Sequence, residues 1–184
     1  RTERIRDYIA AGDCYQVNFT FPLTGPAFGH PAALYRALRA AQPVRYGAFI
    51  AHADGAILSR SPELFLERHG STLASRPMKG TAPLADPGRL DSEKEHAENL
   101  MIVDLLRNDL GRIAQTGSVH VPQLLRTEPY PTLWQMTSTV QATTRADTTF
   151  TQVLQALFPC GSITGAPKHM AMRKIAAFES QQIG

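Results

Sequence analysis

What this chain lacks narrows the field first. Its only two cysteines, Cys14 and Cys160, stand near opposite ends and form no C-x-x-C pair, which excludes zinc-ribbon and thioredoxin-type readings and leaves two buried thiols of a reducing compartment. No apolar run approaches the roughly 18 residues that a bilayer-spanning helix needs. The opening Arg1-Thr2-Glu3-Arg4 lacks the apolar core of a signal peptide, so a cytoplasmic protein is expected. None of the six histidines stands in H-E-x-x-H or in a close His/Asp cluster, so they read as surface or packing residues. Charge is sparse and mixed: 19 basic and 16 acidic residues leave +3, spread along the chain, so the pI of about 9.1 marks no footprint for nucleic acid or membrane. Internal repeats and low-complexity tracts are absent as well.

What is present is ordinary globular material. Of 184 residues 43% are hydrophobic, with 13 Gly and 13 Pro, enough to bury the core of one unit. The first residue is not Met and the last four are Gln-Gln-Ile-Gly after a helix-like segment, so the chain reads as excised from something longer, with 1–184 as one unit of it.

Helical spacing of Ile5, Tyr8 and Ile9 predicts a helix over residues 1–11 that stops at Gly12, and Pro31 opens a second through Leu34, Leu38 and Ala41. Residues 46–52 and 56–68 read as strands, the latter facing 71–76 across His69-Gly70 as a hairpin, followed by a Pro/Gly/Asp-rich loop over 80–91. Ser92 and Glu95 form an S-x-x-E capping box for a helix through Leu106 towards Gly111. Residues 119–125 and 133–143 are strand-like, Phe150, Val153, Leu154, Leu157 and Phe158 share a helix face, and Pro167 marks the last helix start, with Met170, Met172, Ile175 and Phe178 as its apolar contacts.

Chemistry concentrates in four places. The helix after Ser92 is apolar on most sides and is expected to be buried on most sides, so Glu98 and Asp104 need a cation such as Arg107 or Arg112, or a metal. Lys79 ends a strand and precedes Gly80, which lets backbone approach a ligand, and a lysine with reduced solvation becomes a nucleophile; a solvated surface lysine is the competing account. Glu63 follows Pro62 on the partner strand. Regular pairing across the hairpin places Arg60 opposite Lys79 and puts Glu63 and Lys79 on opposite faces, so their sharing a site demands a bulge or kink near Pro62 or Pro77. Gly161-Ser-Ile-Thr-Gly165-Ala-Pro-Lys168 reads as a Gly loop leading into a helix N-terminus, suited to a carboxylate or phosphate but lacking Walker A spacing; a tight turn explains the glycines equally well.

Taken in order, Gly12-Asp-Cys-Tyr-Gln-Val-Asn18, Ser59-Arg-Ser-Pro-Glu63, Arg76-Pro-Met-Lys-Gly-Thr81, Ala97-Glu-Asn-Leu-Met-Ile-Val-Asp-Leu-Leu-Arg-Asn-Asp109 and Gly161-Ser-Ile-Thr-Gly-Ala-Pro-Lys168 resemble the chorismate-utilising enzyme family over essentially the whole chain. Lys79, where the anthranilate-forming members usually carry Ala, points to the aminodeoxychorismate-forming branch. The resemblance implies an α+β fold of antiparallel sheets flanked by helices, truncated at both ends. It implies amination of chorismate at C4 to 4-amino-4-deoxychorismate, for folate and para-aminobenzoate synthesis, with Lys79 as nucleophile and Glu63 as proton donor, their pKa values tuned by desolvation. By the same resemblance Glu98 is a ligand of Mg²⁺, Gly80, Thr81, Gly161 and Ser162 contact substrate, and ammonia comes from a glutamine amidotransferase subunit or domain. The chain departs from the family in reading Ala82-Pro83-Leu84 where Pro-Arg usually follows Thr81, and in placing Gln135 where many relatives have His.

Anthranilate-, isochorismate- and salicylate-forming relatives are the enzymatic alternatives, and an inactive amidotransferase-binding relative or a basic RNA-binding module the non-enzymatic ones. Retained Lys79, Glu63 and Glu98 speak against decay, and the aromatic-basic interleaving of RNA modules is missing. The resemblance places a second magnesium carboxylate and a carboxylate-binding arginine beyond Gly184. The 184 residues by themselves are therefore expected to give no turnover, and measurable chorismate consumption by them would overturn that.

Overall fold

Helices start where capping chemistry puts them in the computed structural model, which describes residues 2–178. The side chain of Phe178 and residues 181–184, both invoked above, lie outside that description. After α1 (Thr2–Ala10) and the short β1 (Gln16–Val17), Pro31 opens α2 (Pro31–Ala41) with His30 Nδ1 accepting from Ala32 N–H at 3.1 Å. Two hairpin strands follow, β2 (Tyr46–His52) and β3 (Gly55–Ser61), then β4 (Leu64–His69), β5 (Thr72–Arg76) and β6 (Met78–Pro83). A 3₁₀ turn over Pro87–Asp91 leads to α3 (Glu93–Gly111), capped by Ser92 Oγ on Glu95 N–H at 3.3 Å, a contact worth about 1 kcal/mol. The chain then forms β7 (His120–Pro129), β8 (Leu133–Thr143), α4 (Phe150–Leu157), the single turn α5 (Gly161–Thr164), β9 (Gly165–Ala166) and α6 (Lys168–Phe178). Thr149 and Gln152 close both halves of a capping box at α4. The α+β class expected from the resemblance is the class observed.

The chain divides into two compact units, Leu23–Leu64 and the segments on either side of it. In the smaller, β2 and β3 pair antiparallel from Tyr46↔Ser61 to His52↔Gly55. Arg60 is fixed there by its partners: it donates to Tyr35 Oη at 3.4 Å and to Gln42 O at 2.6 Å, and its guanidinium lies over the Tyr35 ring.

In the larger unit β8 is the organising strand. β5 and β6 lie end to end along one edge of β8, β4 extends the sheet beyond β5, and β7 takes the other edge. Alternation puts Leu73, Val140 and Ala142 on one face, and α3 lays Ile102, Val103, Leu106 and Leu110 on it, joined by Val153, Ala156 and Leu157 of α4. Each of the fully buried aliphatic side chains here contributes about 1.5–3 kcal/mol. Asn99 is fully buried in this apolar layer and is satisfied: its Oδ1 accepts from Ser138 Oγ at 2.6 Å, and that hydroxyl accepts from Leu125 N–H at 3.0 Å. Leu125, at φ 52, is the one non-glycine residue in the left-handed region among the described residues, and the network supplies the partner that its displaced N–H needs.

Four expectations are corrected. The run over 56–68 is two strands separated at Pro62, and β3 pairs with β2, so Arg60 faces Gly47 and not Lys79. The loop expected over 80–91 is strand as far as Pro83 and a 3₁₀ turn from Pro87. α3 is buried along one face only, with Leu100 at 44% exposure, because an apolar circumference does not by itself supply a partner for every side. Phe150 and Phe158 are exposed, since α4 ends at Leu157 and buries Val153, Ala156 and Leu157 instead.

Lys168, at the start of α6, is a buried charge. Its Nζ donates to Asp109 Oδ2 at 2.6 Å and to the α4 carbonyls of Ala156 and Leu157 at 3.3 and 3.2 Å, so every ammonium proton has an acceptor. Lys168→Met should cost about 3–5 kcal/mol by leaving Asp109 buried without its cation, and Lys168→Met with Asp109→Leu should recover most of that; urea denaturation of the three proteins reads both numbers.

Candidate active site

The site is built on an irregularity of β6. Pairing with β8 runs Thr72↔Thr143 to Ser75↔Val140 and continues at Met78↔Thr137, but resumes after the break at Thr81↔Gln135, so Lys79 and Gly80 carry one extra residue against β8. A bulge thus stands close to Pro77, where the sequence reading required an interruption. Gly80 has φ +89, and a Cβ there would lie 3.0 Å from Glu95 Oε2, 3.1 Å from Leu90 Cδ2 and 3.3 Å from Met136 Cβ. Only glycine fits this approach without strain. Glu95, the acid of the expected capping box, thus turns its carboxylate towards Gly80, and Ser92 supplies the cap. Lys79, half-buried, donates from Nζ to the Ser162 carbonyl at 3.3 Å. Thr81 is exposed and accepts from Gln135 Nε2 at 2.9 Å across the strand pair.

Ser162 belongs to the second glycine segment, which differs from a loop running straight into a helix. Residues Gly161–Thr164 make one helical turn, Gly165–Ala166 form β9 against β1, and only then does α6 begin. Both glycines mark close approaches. A Cβ on Gly161 would sit 2.2 Å from Leu105 Cδ2, and one on Gly165, at φ +139, 2.2 Å from the Gln16 carbonyl oxygen. The partner in β1 comes from the motif at Gly12–Asn18: Tyr15 N–H donates to Ala166 O at 2.8 Å, and Asn18 donates from its backbone to Thr164 O at 2.9 Å and from Nδ2 to Ile163 O at 3.3 Å. Ser162 is itself buried, its hydroxyl 3.1 Å from Cys160 Sγ. Lys168, read as part of an anion-binding helix start, turns inward to Asp109 instead.

On α3 the expected carboxylates stay at the surface. Glu98 pairs with Lys94 at 3.7 Å and Asp104 with Arg107 at 3.3 Å, weak solvated pairs of the helical i,i+4 and i,i+3 kind. Glu98 stands two turns before Leu105, on the helix stripe that backs Gly161. No group of three or more His, Cys, Asp or Glu residues suited to a metal is present among the described residues. The buried acid is Asp109, which the sequence reading did not single out; burial pushes its carboxyl above the ordinary range, opposed by the hydrogen bond and charge of Lys168. The signal was available as an Asp at the end of an apolar helix and a Lys after Pro167, but their contact bridges 59 positions of sequence.

The structure thus joins Lys79 to Ser162 by one hydrogen bond, with Gly80 and Thr81 following the first in the chain and Gly161 preceding the second. Glu63 falls in the smaller unit, half-buried after Pro62, in a turn where its N–H donates to Ser61 Oγ at 3.3 Å and Ser61 Oγ donates to its carbonyl at 3.2 Å. A cavity of about 510 Å³ opens elsewhere, lined by Tyr15, Asp104, Leu105, Asn108, Arg112 and Met170 among others; Lys79, Thr81 and Glu98 do not line it. Its volume alone gives it no chemistry, and the bulge and the α5 turn remain the candidate site.

The chorismate binding enzyme family matches residues 1–182. Aminodeoxychorismate synthase component 1 of Klebsiella aerogenes is 44% identical over 97% of this chain and 42% of its own. Anthranilate synthase component 1 of Streptomyces coelicolor is 39% identical over 100% of this chain and 38% of its own. The crystal structure of anthranilate synthase component I from Streptococcus pneumoniae superposes with a TM-score of 0.82 at 33% identity, over 97% of this chain and 41% of that one. The chain therefore spans about 42% of the length of the Klebsiella relative.

Gly80→Ala tests the bulge. A methyl group at φ +89 against Glu95, Leu90 and Met136 should cost about 1–3 kcal/mol, read as a lower urea midpoint with an unchanged slope. Parental stability in that variant would mean that the backbone there is not held as described.

Proposed function

The chain belongs to the chorismate binding enzyme family, and from that premise we propose that it is part of the catalytic domain of an aminodeoxychorismate synthase component I, which converts chorismate and ammonia to 4-amino-4-deoxychorismate. The observation that carries the proposal is Lys79: a lysine on a bulge, half-buried, with its amine at the Ser162 carbonyl between two glycine-lined turns. A primary amine in such a place can serve as a nucleophile when it is neutral. In the proposed sequence the Lys79 amine bonds to ring C2 as the ring double bonds shift and the C4 hydroxyl departs as water with a proton from Glu63. Ammonia then bonds to C4 and the bond to Lys79 breaks, returning the amine.

The substrate is a dianion, and donors that meet it suit the neighbouring residues. Thr81 offers a hydroxyl and Gly80 a backbone approach, with Gly161 and Ser162 on the facing turn. Glu98, paired with the solvated Lys94, offers an oxygen ligand, which fits the hard-oxygen preference of Mg²⁺. Magnesium held there would neutralise the ring carboxylate of the substrate. Glu63 supplies the proton donor by family resemblance. The Klebsiella relative is component 1 of its synthase, and this supports a partner component, which we take to be an amidotransferase delivering ammonia. No helix among the described residues is long and apolar enough to cross a membrane, in keeping with a cytoplasmic enzyme.

The decisive experiment is mass spectrometry of the protein with chorismate and Mg²⁺ but without ammonia. A covalent adduct on the parent and none on Lys79→Ala supports the nucleophile, and equal modification of both proteins refutes it. Product analysis with ammonia present should then give 4-amino-4-deoxychorismate; anthranilate would assign the chain to the other branch.

A further inference from the structure

We infer that Gln135 is a positioning residue for the substrate, acting through Thr81. The inference rests on the reading that Thr81 contacts the anionic substrate. Thr81 and Gln135 are direct cross-strand partners, the first pair after the bulge. Gln135 Nε2 donates to Thr81 Oγ1 at 2.9 Å. A hydroxyl that already accepts an N–H has its own proton left to give. Gln135 therefore sets the polarity of Thr81, aiming its O–H away from the strand pair as a donor suited to a carboxylate or other anionic oxygen.

Three features keep this pair in place. The next residue, Trp134, donates from Nε1 to Leu84 O at 3.3 Å, which clamps the end of β6 onto β8. On the other edge Gln135 pairs with Glu128, and that carboxylate is taken up by Arg76 and Arg126, so it does not compete for the Gln135 amide. Met136, on the opposite face, is buried with Ala82 and Leu90 beneath the pair. A glutamine does not titrate, so the polarity imposed on Thr81 is the same across the pH range in which a histidine would change charge.

The test is a cycle of Thr81→Val, Gln135→Leu and the double variant, with Gln135→Glu alongside, in the full protein supplied with chorismate, Mg²⁺ and an ammonium salt. Thr81→Val should raise the KM for chorismate about tenfold with kcat changed less than about twofold, the signature of a lost binding contact. Gln135→Leu should raise KM by about three- to tenfold. The double variant should match Thr81→Val alone, because a residue acting through the hydroxyl has nothing to add once the hydroxyl is gone. Gln135→Glu, which can only accept from Thr81, should raise KM further than Gln135→Leu.

Multiplying effects in the double variant, an unchanged KM in Gln135→Leu, or a fall in kcat alone would overturn the inference while leaving Thr81 as a substrate contact. An unchanged KM in Thr81→Val would remove the contact at Thr81 and the inference together. A merely structural role predicts lower stability with KM unmoved, and thermal melts of the same proteins separate that case.

Discussion

One extra residue on β6 decides what the larger unit can present. The side chains of a strand alternate, so a strand continuing from β5 in perfect register would carry Ala82 to the face away from α3 and expose the small apolar cluster it closes with Leu90 and Met136. The bulge at Lys79 and Gly80 absorbs the shift. Ala82 returns to the core, Thr81 is left exposed, and Lys79 departs from the ladder towards the α5 turn. Glycine is required at the second position because the backbone there is pressed against Glu95, Leu90 and Met136 at a positive φ. Chemistry and fold are coupled at this point, since the defect that frees a lysine from the sheet is the one that keeps the sheet buried beyond it.

Buried polar groups hold that geometry. Asn99 reaches through the apolar layer to Ser138, the residue of β8 whose N–H donates to the Pro77 carbonyl at 3.1 Å and whose hydroxyl receives the N–H of Leu125. Both edges of β8 are irregular at this level, and one asparagine and one serine complete the hydrogen bonds that the irregular strands cannot make. Lys168 does comparable work on the other side of α3, tying Asp109 to the end of α4 and so fixing where the chain enters the α5 turn. Such groups are costly unless fully satisfied, which makes them specific: few alternative packings would satisfy all of them at once.

The sequence made the helices legible because capping and period are local. Pro31, Ser92 and Thr149 act on neighbours within one turn, and the helices they begin were readable to within a residue or two. The strand registers were not, because nothing local in residues 56–68 says that Pro62 ends one pairing and begins another. The S-x-x-E signature was half right for the same reason: Ser92 caps, but Glu95 answers to Gly80, a residue brought to it by the fold. Among site residues, Lys79, Gly80, Thr81, Gly161 and Ser162 came together as neighbours of two turns, whereas the ion pair of Asp109 with Lys168 was invisible because each partner looked ordinary in its own segment. Lys168 was instead read as part of an anion-binding loop, and its charge proved to be spent inside the protein.

Two kinds of relative share this stretch of chain. An aminodeoxychorismate-forming relative at 44% identity and an anthranilate-forming one at 39% match the same span, and a fold is shared with the second kind at a TM-score of 0.82. One fold thus carries chains of both names, and within this span they differ in side chains and not in architecture. Position 79 is free to vary by its placement: as an extra residue on a bulge its side chain is released from the sheet's alternation, and a change of identity there leaves Leu73, Met136 and Val140 in the core undisturbed. Position 135 differs in kind, because it remains inside the ladder and can act only on what lies directly across from it. A bulged position and a paired position thus give one scaffold two separate ways to vary, the first in a side chain released from the sheet and the second in one held to its cross-strand partner.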